Sequence, residues 1–349
     1  MSRESSVFAL PHEEIDPRIH IFRRIFVAPD KAGELQVDAY VLRTERFLIF
    51  CDTLLCPADV ALMVEHVTTI PGETPDIHER HKRQWLVINS HSDWDHVWGN
   101  AYFTQRSERS ERSEQSESSE QPALGLPEYP LPPIIGHMLN AQRQSNTYNR
   151  TFLCDYKNRY PLFKDVQHVP PTLSFEQQML IDGGDLTLEL LHAPGHSADH
   201  IAVWLPQLRT LLAFDAVEWP FPSIEDAQSV SALRETLQRF LSLDPRFVLC
   251  SHGTAEGVEG IRILKHNYLY IRRLEENCQA LLAAQELTRE MIKQEDCADL
   301  IGFAYDEASA GMPTGDDAYY RNVHQENVRN VLRYLLSEDE DEDEGGEQE

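Results

Sequence analysis

The stretch that decides the fold is NSHSDWDHVWGN, Asn89–Asn100, which packs two histidines and two aspartates into six positions. The apolar run WLVI, Trp85–Ile88, comes directly before it and predicts a buried β-strand. Polar side chains on the loop that follows a strand are where binding and catalytic groups concentrate. Taken alone, HSDWDH is also compatible with a hydrogen-bonded polar turn. The four metal-capable residues are His91, Asp93, Asp95 and His96.

Composition places the chain among soluble globular proteins. It has 349 residues, 41% of them apolar and 26% charged, which suits one large domain or a domain with an appendage. The six cysteines show no C-x-x-C spacing, so neither a disulfide framework nor a zinc ribbon is indicated. No run approaches the ~20 apolar residues of a membrane span, and the N-terminal residues lack the apolar region of a secretory signal. We therefore expect a cytoplasmic protein.

The formal net charge of −27 is large, and nine of the acidic residues lie in the tail 337–349. The remainder is still strongly acidic. Because such a field repels phosphate backbones, it argues against a nucleic-acid substrate and favours a small-molecule one. The sequence leaves open whether the chain forms a homo-oligomer.

Strands and helices alternate along the chain, which predicts an α/β or α+β protein. Strands are expected in residues 35–55, around a turn at Thr44–Arg46, and a helix is expected over 57–69. A second helix is expected from Leu139 to about Tyr160. Further strands are predicted at 84–88, 133–137, 186–193, 200–206, 209–215 and 246–253, and further helices at 230–245, beyond about residue 257 and at 319–336.

Two segments carry no apolar residues that could join a core. Residues 106–121 form an imperfect Arg-Ser-Glu repeat, and 337–349 is the acidic tail. Their composition predicts disorder. The expected organisation is a main domain over 1–260 with a disordered insertion at 104–130, a C-terminal helical region over 261–336 and a disordered tail over 337–349.

Three further places repeat the pattern of a buried strand that ends in a metal-capable side chain. They are His196 in HAPGHSADH, Asp215 in LLAFDAVEW and His252 in LCSHG. Each of them alone could be a cap or a turn residue. Structural zinc sites usually use closely spaced cysteines, whereas dispersed histidine and aspartate ligands are typical of catalytic sites with open coordination positions. The set therefore predicts a catalytic metal centre.

These motifs resemble those of the metallo-β-lactamase superfamily over roughly residues 20–260. The family pattern is H-x-H-x-D-H with a following Gly-Asn-like turn, then P-G-H, an aspartate after a strand and a late histidine. HSDWDHVWGN, APGH, LLAFD and SHG match these motifs in order. The resemblance implies an α+β fold, a four-layer αββα sandwich, here with a C-terminal helical extension. It also implies a pair of divalent metal ions at one edge of this sandwich.

Carried over residue by residue, the resemblance assigns His91 and His196 to the first metal. It assigns Asp95, His96 and His252 to the second metal, and it makes Asp215 a bridge between the two. Asp52 corresponds to a family aspartate that supports the ligand histidines from behind.

One position departs from the family, because Asp93 stands where its second histidine is expected. A carboxylate makes the first site a harder ligand set. Zinc remains the first expectation, with iron or manganese as alternatives. A weakened or empty first site, or a zinc pair with altered geometry, is also left open.

The resemblance implies a metal-dependent hydrolase in which a metal-bound hydroxide attacks an ester, thioester or lactone, with Asp95 as the catalytic residue that orients the nucleophile or relays its proton. A β-lactam is disfavoured because we find no export signal. One alternative is an iron-dependent oxygen or sulfur redox enzyme on the same fold, although the C-terminal region shows no recognisable flavin domain. The other is a non-catalytic metal-binding relative. Other residues near the motifs are interpreted as support or packing: His137, His192, His200, Trp94, Trp98 and the Tyr268–Arg272 region.

Overall fold

The computed structural model describes most of the chain: residues 7–27, 34–68, 83–104, 131–253, 258–284, 292, 297–310 and 317–345. The chain divides into two compact units. Unit 1 comprises Met1–Ile25 and Val37–Glu189, and unit 2 comprises Phe26–Gln36 and Leu190–Glu349. The predicted insertion 104–130 lies outside the described residues apart from Thr104.

A seven-stranded sheet has its strands in chain order. Its first strands pair antiparallel, β1 with β2 and β3 with β4, whereas β4 to β7 pair parallel. The strands are β1 Val7–Leu10, β2 Ile19–Val27, β3 Glu34–Arg43, β4 Phe47–Cys51, β5 Gln84–Ile88, β6 Ile134–His137 and β7 Leu173–Phe175. The turn between β3 and β4 falls at Thr44–Arg46, as the sequence predicted.

The parallel strands of this sheet determine where its polar residues collect. Cys51 pairs with Ile88 at the carboxyl ends of β4 and β5, and Ile88 pairs with Ile135 of β6. Carboxyl ends of parallel strands meet at one edge of a sheet, which is where ligands bind in such sheets. The residues after β4 and β5, Asp52 and the HSDWDH motif, therefore emerge side by side.

A five-stranded sheet has the order β12-β11-β10-β9-β8. Here β10 and β11 pair antiparallel, and β11 and β12 pair parallel. The sequence did not single out β1, β2, β7 or β8. Of these, β1, β7 and β8 are edge strands, and β2, IHIFRRIFV, carries a histidine and two arginines among its apolar residues. The five strands are β8 Gln178–Asp182, β9 Thr187–His192, β10 Ile201–Leu205, β11 Thr210–Leu212 and β12 Phe247–Leu249.

Nine α-helices lie within the described ranges. They are α1 Pro57–Thr68, α2 Trp94–Val97, α3 Asn140–Gln144, α4 Thr147–Arg159, α5 Ser229–Ser242, α6 Val258–Ala284, α7 Cys297–Leu300, α8 Tyr305–Ala308 and α9 Asp317–Gly345.

The single helix predicted from Leu139 to about Tyr160 is wrong in one respect, because it is two helices. Asn146 lies in extended conformation between α3 and α4, and its side chain accepts a hydrogen bond from the backbone N–H of Asn149. Asparagine is a favoured N-cap because its side chain competes with the helical backbone for hydrogen bonds. Residues 142–147, QRQSNT, are all polar, so no apolar periodicity marks the end of α3 or the start of α4.

The helices of unit 2 share one apolar core with its strands. Leu237 of α5, Val248 of β12, Leu264 of α6 and Val331 of α9 are all buried in it. The predicted boundary at residue 260 stays a prediction. Within unit 2, however, the helices that follow residue 260 do not form a separate core.

The last helix extends beyond its predicted end at residue 336. Its backbone is helical through Gly345, inside the segment 337–349 that we expected to be without structure. Glutamate has good helix propensity and no proline interrupts this segment. The segment can therefore be helical although it lacks the apolar face whose absence predicted disorder.

Candidate metal centre

In unit 1, Asp52 occupies a turn that starts where β4 ends. Its backbone adopts the left-handed conformation, with φ of 64°, and the residue is fully buried. Its carboxylate accepts hydrogen bonds from the backbone N–H and the hydroxyl of Ser90, each at 2.7 Å. It also lies 2.8 Å from the Nδ1 of His96. A carboxylate buried in this way is held by its hydrogen bonds.

These contacts determine which ring nitrogen of each histidine carries a proton. A carboxylate accepts only, so His96 Nδ1 donates to Asp52. The Ser90 hydroxyl has one hydrogen, which it gives to Asp52, so it accepts from His91 Nδ1 at 2.9 Å. In the neutral ring this leaves the lone pair on Nε2, the form that binds a metal ion.

Each of these Nε2 atoms faces a carboxylate. His91 Nε2 lies 3.4 Å from Asp93 Oδ2, and His96 Nε2 lies 3.6 Å from Asp95 Oδ2. The two imidazole rings are 4.2 Å apart, centroid to centroid. Four side chains capable of binding metal are thus presented together by six consecutive residues.

Asp93 occupies the N-cap position of α2, with an extended backbone. An aspartate there normally accepts a hydrogen bond from the first turn of the helix. Asp93 makes no such capping bond. Its side chain is 46% exposed and is directed toward His91 Nε2. This geometry differs from that of a turn residue and is compatible with a ligand.

The aromatic residues of the motif pack behind it. Trp94 and Trp98 lie 5.2 Å apart, one helical turn from each other, and both contact Phe163 and Tyr156 of the neighbouring segments. Asp95 and His96 occupy the intervening positions. The aromatic cluster therefore anchors α2, in agreement with the interpretation of both tryptophans as packing residues.

In unit 2, His196 lies in a tight turn that Gly195 makes possible. Gly195 has φ of 134°, and a Cβ on it would lie 2.4 Å from Leu233 of α5. Asp215 follows Phe214, which has a left-handed φ of 48° at the end of β11. His252 follows β12. Backbone conformations that bulky residues rarely adopt thus direct the side chains at these strand ends.

The three polar residues of unit 2 form a second ligand set around Asp215. Its Oδ2 lies 3.6 Å from His196 Nε2 and 3.2 Å from His252 Nε2. His252 Nδ1 donates to the backbone carbonyl of Gln36 at 2.6 Å, and His196 Nδ1 lies 3.0 Å from the Ser223 hydroxyl. As in unit 1, the outer nitrogen of each ring is occupied by a neighbour while Nε2 faces a carboxylate.

The separations within each unit match what one metal ion requires of two of its ligands. With metal–nitrogen and metal–oxygen bonds of about 2.0–2.2 Å in tetrahedral geometry, two ligand atoms lie about 3.4 Å apart. The four Nε2–Oδ2 separations are 3.4, 3.6, 3.6 and 3.2 Å. The residues therefore fit divalent metal ions, and members of both sets are among those that could hold one.

Sequence reasoning missed Glu218, which lies three residues after Asp215 and is only 5% exposed. Burial raises the pKa of this carboxyl and the charge of Asp215 raises it further, whereas His252 and a hydrogen bond from Tyr320 of α9 oppose the rise. The sequence gives no indication that Glu218 is buried with a raised pKa, because it is a single polar residue a few positions after a strand.

The other histidines that attract attention have structural partners. His137 uses both ring nitrogens, Nε2 to the carbonyl of Glu176 at 2.9 Å and Nδ1 to the N–H of Leu139 at 3.3 Å. His192 Nε2 contacts the carbonyl of Ala198 at 2.9 Å. The buried His200 ring lies 5.9 Å from that of His196. Tyr270 stacks on Phe221 in the core. These contacts agree with the supporting roles expected from the sequence.

The sequence profile of the metallo-beta-lactamase superfamily matches residues 32–252. This range covers more than half of the chain and includes every candidate ligand. The chain therefore belongs to the metallo-beta-lactamase superfamily, and the fold class predicted from the motifs is confirmed. A comparison with curated protein sequences finds no significant match.

Solved structures agree on the fold. A metallo-beta-lactamase family protein from Thermus thermophilus matches with a TM-score of 0.56 and 15% identity, over 93% of this chain and 94% of its own. A metallo-beta-lactamase from Pontibacter korlensis matches with a TM-score of 0.52 and 13% identity, over 76% and 99% of the two chains. At this identity the likeness concerns the fold alone.

Membership of this superfamily supports a hydrolase-type function that depends on divalent metal. Within the described ranges, every helix is too short or too polar to cross a lipid bilayer.

Proposed function

We propose that the chain is a metal-dependent hydrolase that binds two divalent ions. In this proposal His91, Asp93 and His196 hold the first ion, Asp95, His96 and His252 hold the second, and Asp215 contributes to both. The observation that carries it is the pairing of each histidine Nε2 with a carboxylate at 3.2–3.6 Å. Each of the four pairs falls within one proposed site, and Asp215 Oδ2 is paired with a histidine from each.

When bound, divalent ions supply Lewis acidity and lower the pKa of water toward neutrality. The residues of the chain supply the remaining functions, which are orientation of the ligands and transfer of the proton. Asp52, Ser90, Ser223 and the Gln36 carbonyl engage the outer nitrogens of the four ligand histidines, so that these rings need no reorientation on binding. Asp95 is the residue proposed to orient the nucleophile and to accept its proton, since its carboxylate has a second oxygen beyond the one that faces His96.

The proposed substrates are small molecules with an electrophilic carbonyl, namely esters, thioesters or lactones. The strongly acidic chain supports this choice over nucleic acids, because its field repels phosphate backbones. The bond cleaved depends on the pocket walls rather than on the ligands, so the substrate class is proposed from charge and family together. A cytoplasmic location and a possible homo-oligomer remain expectations from the sequence.

A second candidate is favoured by one observation. The Asp93 carboxylate faces His91 Nε2 at 3.4 Å, where the family pattern has an imidazole. An oxygen ligand there favours a harder metal such as iron or manganese. Iron-dependent oxygen or sulfur redox chemistry on the same ligand set is therefore the alternative to hydrolysis.

Elemental analysis of the purified protein separates these candidates. Two zinc ions per chain, with turnover of an ester, thioester or lactone, support the hydrolase. Iron with a visible absorption band that changes on reduction supports the redox enzyme. Bound metal with no turnover across ester, thioester, lactone and phosphodiester substrates would contradict both candidates and leave a non-catalytic metal-binding protein. His137→Ala is a suitable control, since it removes a strand-end histidine that is already hydrogen bonded through both nitrogens.

A further inference from the structure

Three buried asparagines from the C-terminal helices hold one loop of unit 2. The loop comprises residues 218–225, EWPFPSIE, and we call it the strap loop. Asn267 of α6 and Asn327 and Asn330 of α9 are between 0% and 6% exposed. Their side-chain amides hydrogen bond to backbone groups of the strap loop.

The contacts engage six backbone groups of the strap loop. Asn267 accepts from the N–H of Glu218 and donates to the carbonyls of Glu218 and Pro220, each at 2.9 Å. Asn330 donates to the carbonyl of Ile224 at 3.0 Å. Proline cannot complete a β-ladder, and a buried backbone group without a partner is costly. The side-chain amides therefore make the hydrogen bonds that a neighbouring strand would otherwise provide.

Asn327 contacts both peptide groups that flank Ser223. Its Oδ1 accepts from the N–H of Ile224 at 2.8 Å, and its Nδ2 donates to the carbonyl of Pro222 at 2.9 Å. The same Nδ2 lies 3.2 Å from the hydroxyl of Tyr270. One side chain thus fixes the backbone immediately before and after this serine.

The strap loop in turn holds the turn that carries His196. The Ser223 hydroxyl lies 3.0 Å from His196 Nδ1. The N–H of Glu225 donates to the carbonyl of Gly195 at 3.1 Å, and a Glu225 carboxylate oxygen accepts from the N–H of Ala198 at 2.7 Å. The histidine is therefore bracketed by two backbone anchors and contacted by one hydroxyl, all from residues 223–225.

We propose that Asn327 is a positioning residue for His196, which it acts on through Ser223. The inference rests on the proposed function only in taking His196 as a metal ligand. The orientation it describes is a property of the metal-free chain. With Ser223 fixed, its hydroxyl stays within hydrogen-bond distance of His196 Nδ1, and the ring is held with Nε2 facing Asp215. The C-terminal helices then belong to the metal-binding apparatus, although they supply no ligand.

Histidine ring ¹⁵N chemical shifts, measured by NMR on the full chain with chelator, test the proposal directly. In the wild type we expect one dominant His196 tautomer, because Ser223 and Asp215 each face one ring nitrogen. Ser223→Ala and Asn327→Ala should change the tautomer populations, and Ser223→Thr, which keeps the hydroxyl, should restore those of the wild type. Asn267→Ala is the matched control, since it removes three contacts of the same kind from the other end of the strap loop.

Zinc titration against a chromophoric chelator gives the second readout. We expect Ser223→Ala and Asn327→Ala to weaken the weaker-binding ion about 10–100-fold, the usual effect of losing a partner behind a ligand histidine. Asn267→Ala should change this affinity less than Asn327→Ala does. Circular dichroism verifies that each variant is folded, and Ser223→Ala keeps the test decisive if Asn327→Ala does not fold.

The outcomes separate the two proposals. A single unchanged tautomer in Ser223→Ala, or an equal effect of Asn267→Ala and Asn327→Ala on both readouts, would overturn the positioning role. A wild-type chain that binds no divalent metal contradicts the proposed function. The tautomer comparison then still decides whether Asn327 positions His196.

Discussion

Asp52 Oδ2 lies 2.8 Å from His96 Nδ1 and 2.7 Å from the Ser90 hydroxyl, which in turn contacts His91. One carboxylate thus holds two candidate ligands in the same tautomer. Asp52→Asn should lower affinity for divalent metal about 10–100-fold, because its amide group cannot accept from all three donors. Asparagine tolerates the left-handed conformation well, so the backbone is retained. Isothermal titration with zinc measures the change, and unaltered affinity would show that Asp52 only stabilises the turn.

Asp93 should bias the first site toward a harder metal. We expect Asp93→His, which restores the family's residue, to raise the preference for zinc over iron or manganese. Asp93→Ala should empty the first site more readily than the second. Metal content after growth in mixed-metal medium is the measurement, and Asp165→Ala, which removes an exposed carboxylate elsewhere in unit 1, is the control. If Asp93→Ala leaves metal identity and stoichiometry unchanged, Asp93 is a turn residue.

His96, His252 and Asp215 should act as one unit. Alanine at any of the three is expected to remove the second ion and abolish hydrolysis while the protein still folds, since none of these side chains contributes to the apolar cores. Elemental analysis with a circular dichroism spectrum measures both properties. Full metal content in His252→Ala would exclude that histidine from the site.

Glu218 should make metal-free stability depend on pH. Its pKa is raised in the folded chain, chiefly by burial, so the fold binds a proton more readily than the unfolded chain does. This contribution to stability is present below the unfolded pKa, about 4.3 for glutamate, and is lost as pH rises through the folded value. Glu218→Gln should therefore gain stability relative to wild type as pH increases. Urea unfolding with chelator at several pH values measures this, and parallel pH curves would contradict it.

Tyr320→Phe should destabilise the chain by about 1–3 kcal/mol, because a buried carboxyl loses its only hydroxyl donor among the described residues. The loss should be smaller in a Glu218→Gln background, since a neutral amide is less costly to leave without that donor. A double-mutant cycle by chemical denaturation gives the coupling. Additive losses would mean that the two residues act independently.

The insertion and the tail should be dispensable for folding. Removing 337–349, or replacing 106–121 with a short Gly/Ser linker, should leave the melting temperature nearly unchanged, since neither segment has apolar surface to bury. A fall of more than ~5 °C, which is roughly a few kcal/mol for a chain of this size, would show that the segment is packed.

The sequence predicted the parts of the fold that leave a local signature. The apolar runs of β5, β10 and β12 and the periodicity of α5 were sufficient to locate these elements. Edge strands such as β1 and β8 bury only part of their surface and show no comparable run. The break at Asn146 was missed because it depends on one capping side chain within an all-polar stretch that carries no apolar periodicity.

The candidate ligands could be proposed from the sequence for a similar reason, since they lie on the segments that follow β5, β9, β11 and β12 and together match a known motif order. The residues behind them were not. Ser223 and Asn327 are 104 positions apart in the sequence and are related only through the packing of α9. Such pairs have no characteristic separation in the sequence, so a single sequence cannot reveal them.

The left-handed backbone at Asp52 and at Phe214, with φ of 64° and 48°, has an evolutionary consequence. Each such residue costs about 1–2 kcal/mol relative to a relaxed conformation, so both turns oppose folding while they aim a carboxylate. Stability and activity therefore favour different residues there. In a lineage of this chain selected for heat resistance alone, we expect changes at these two turns, and the positions of the Asp52 and Asp215 carboxylates would change with them.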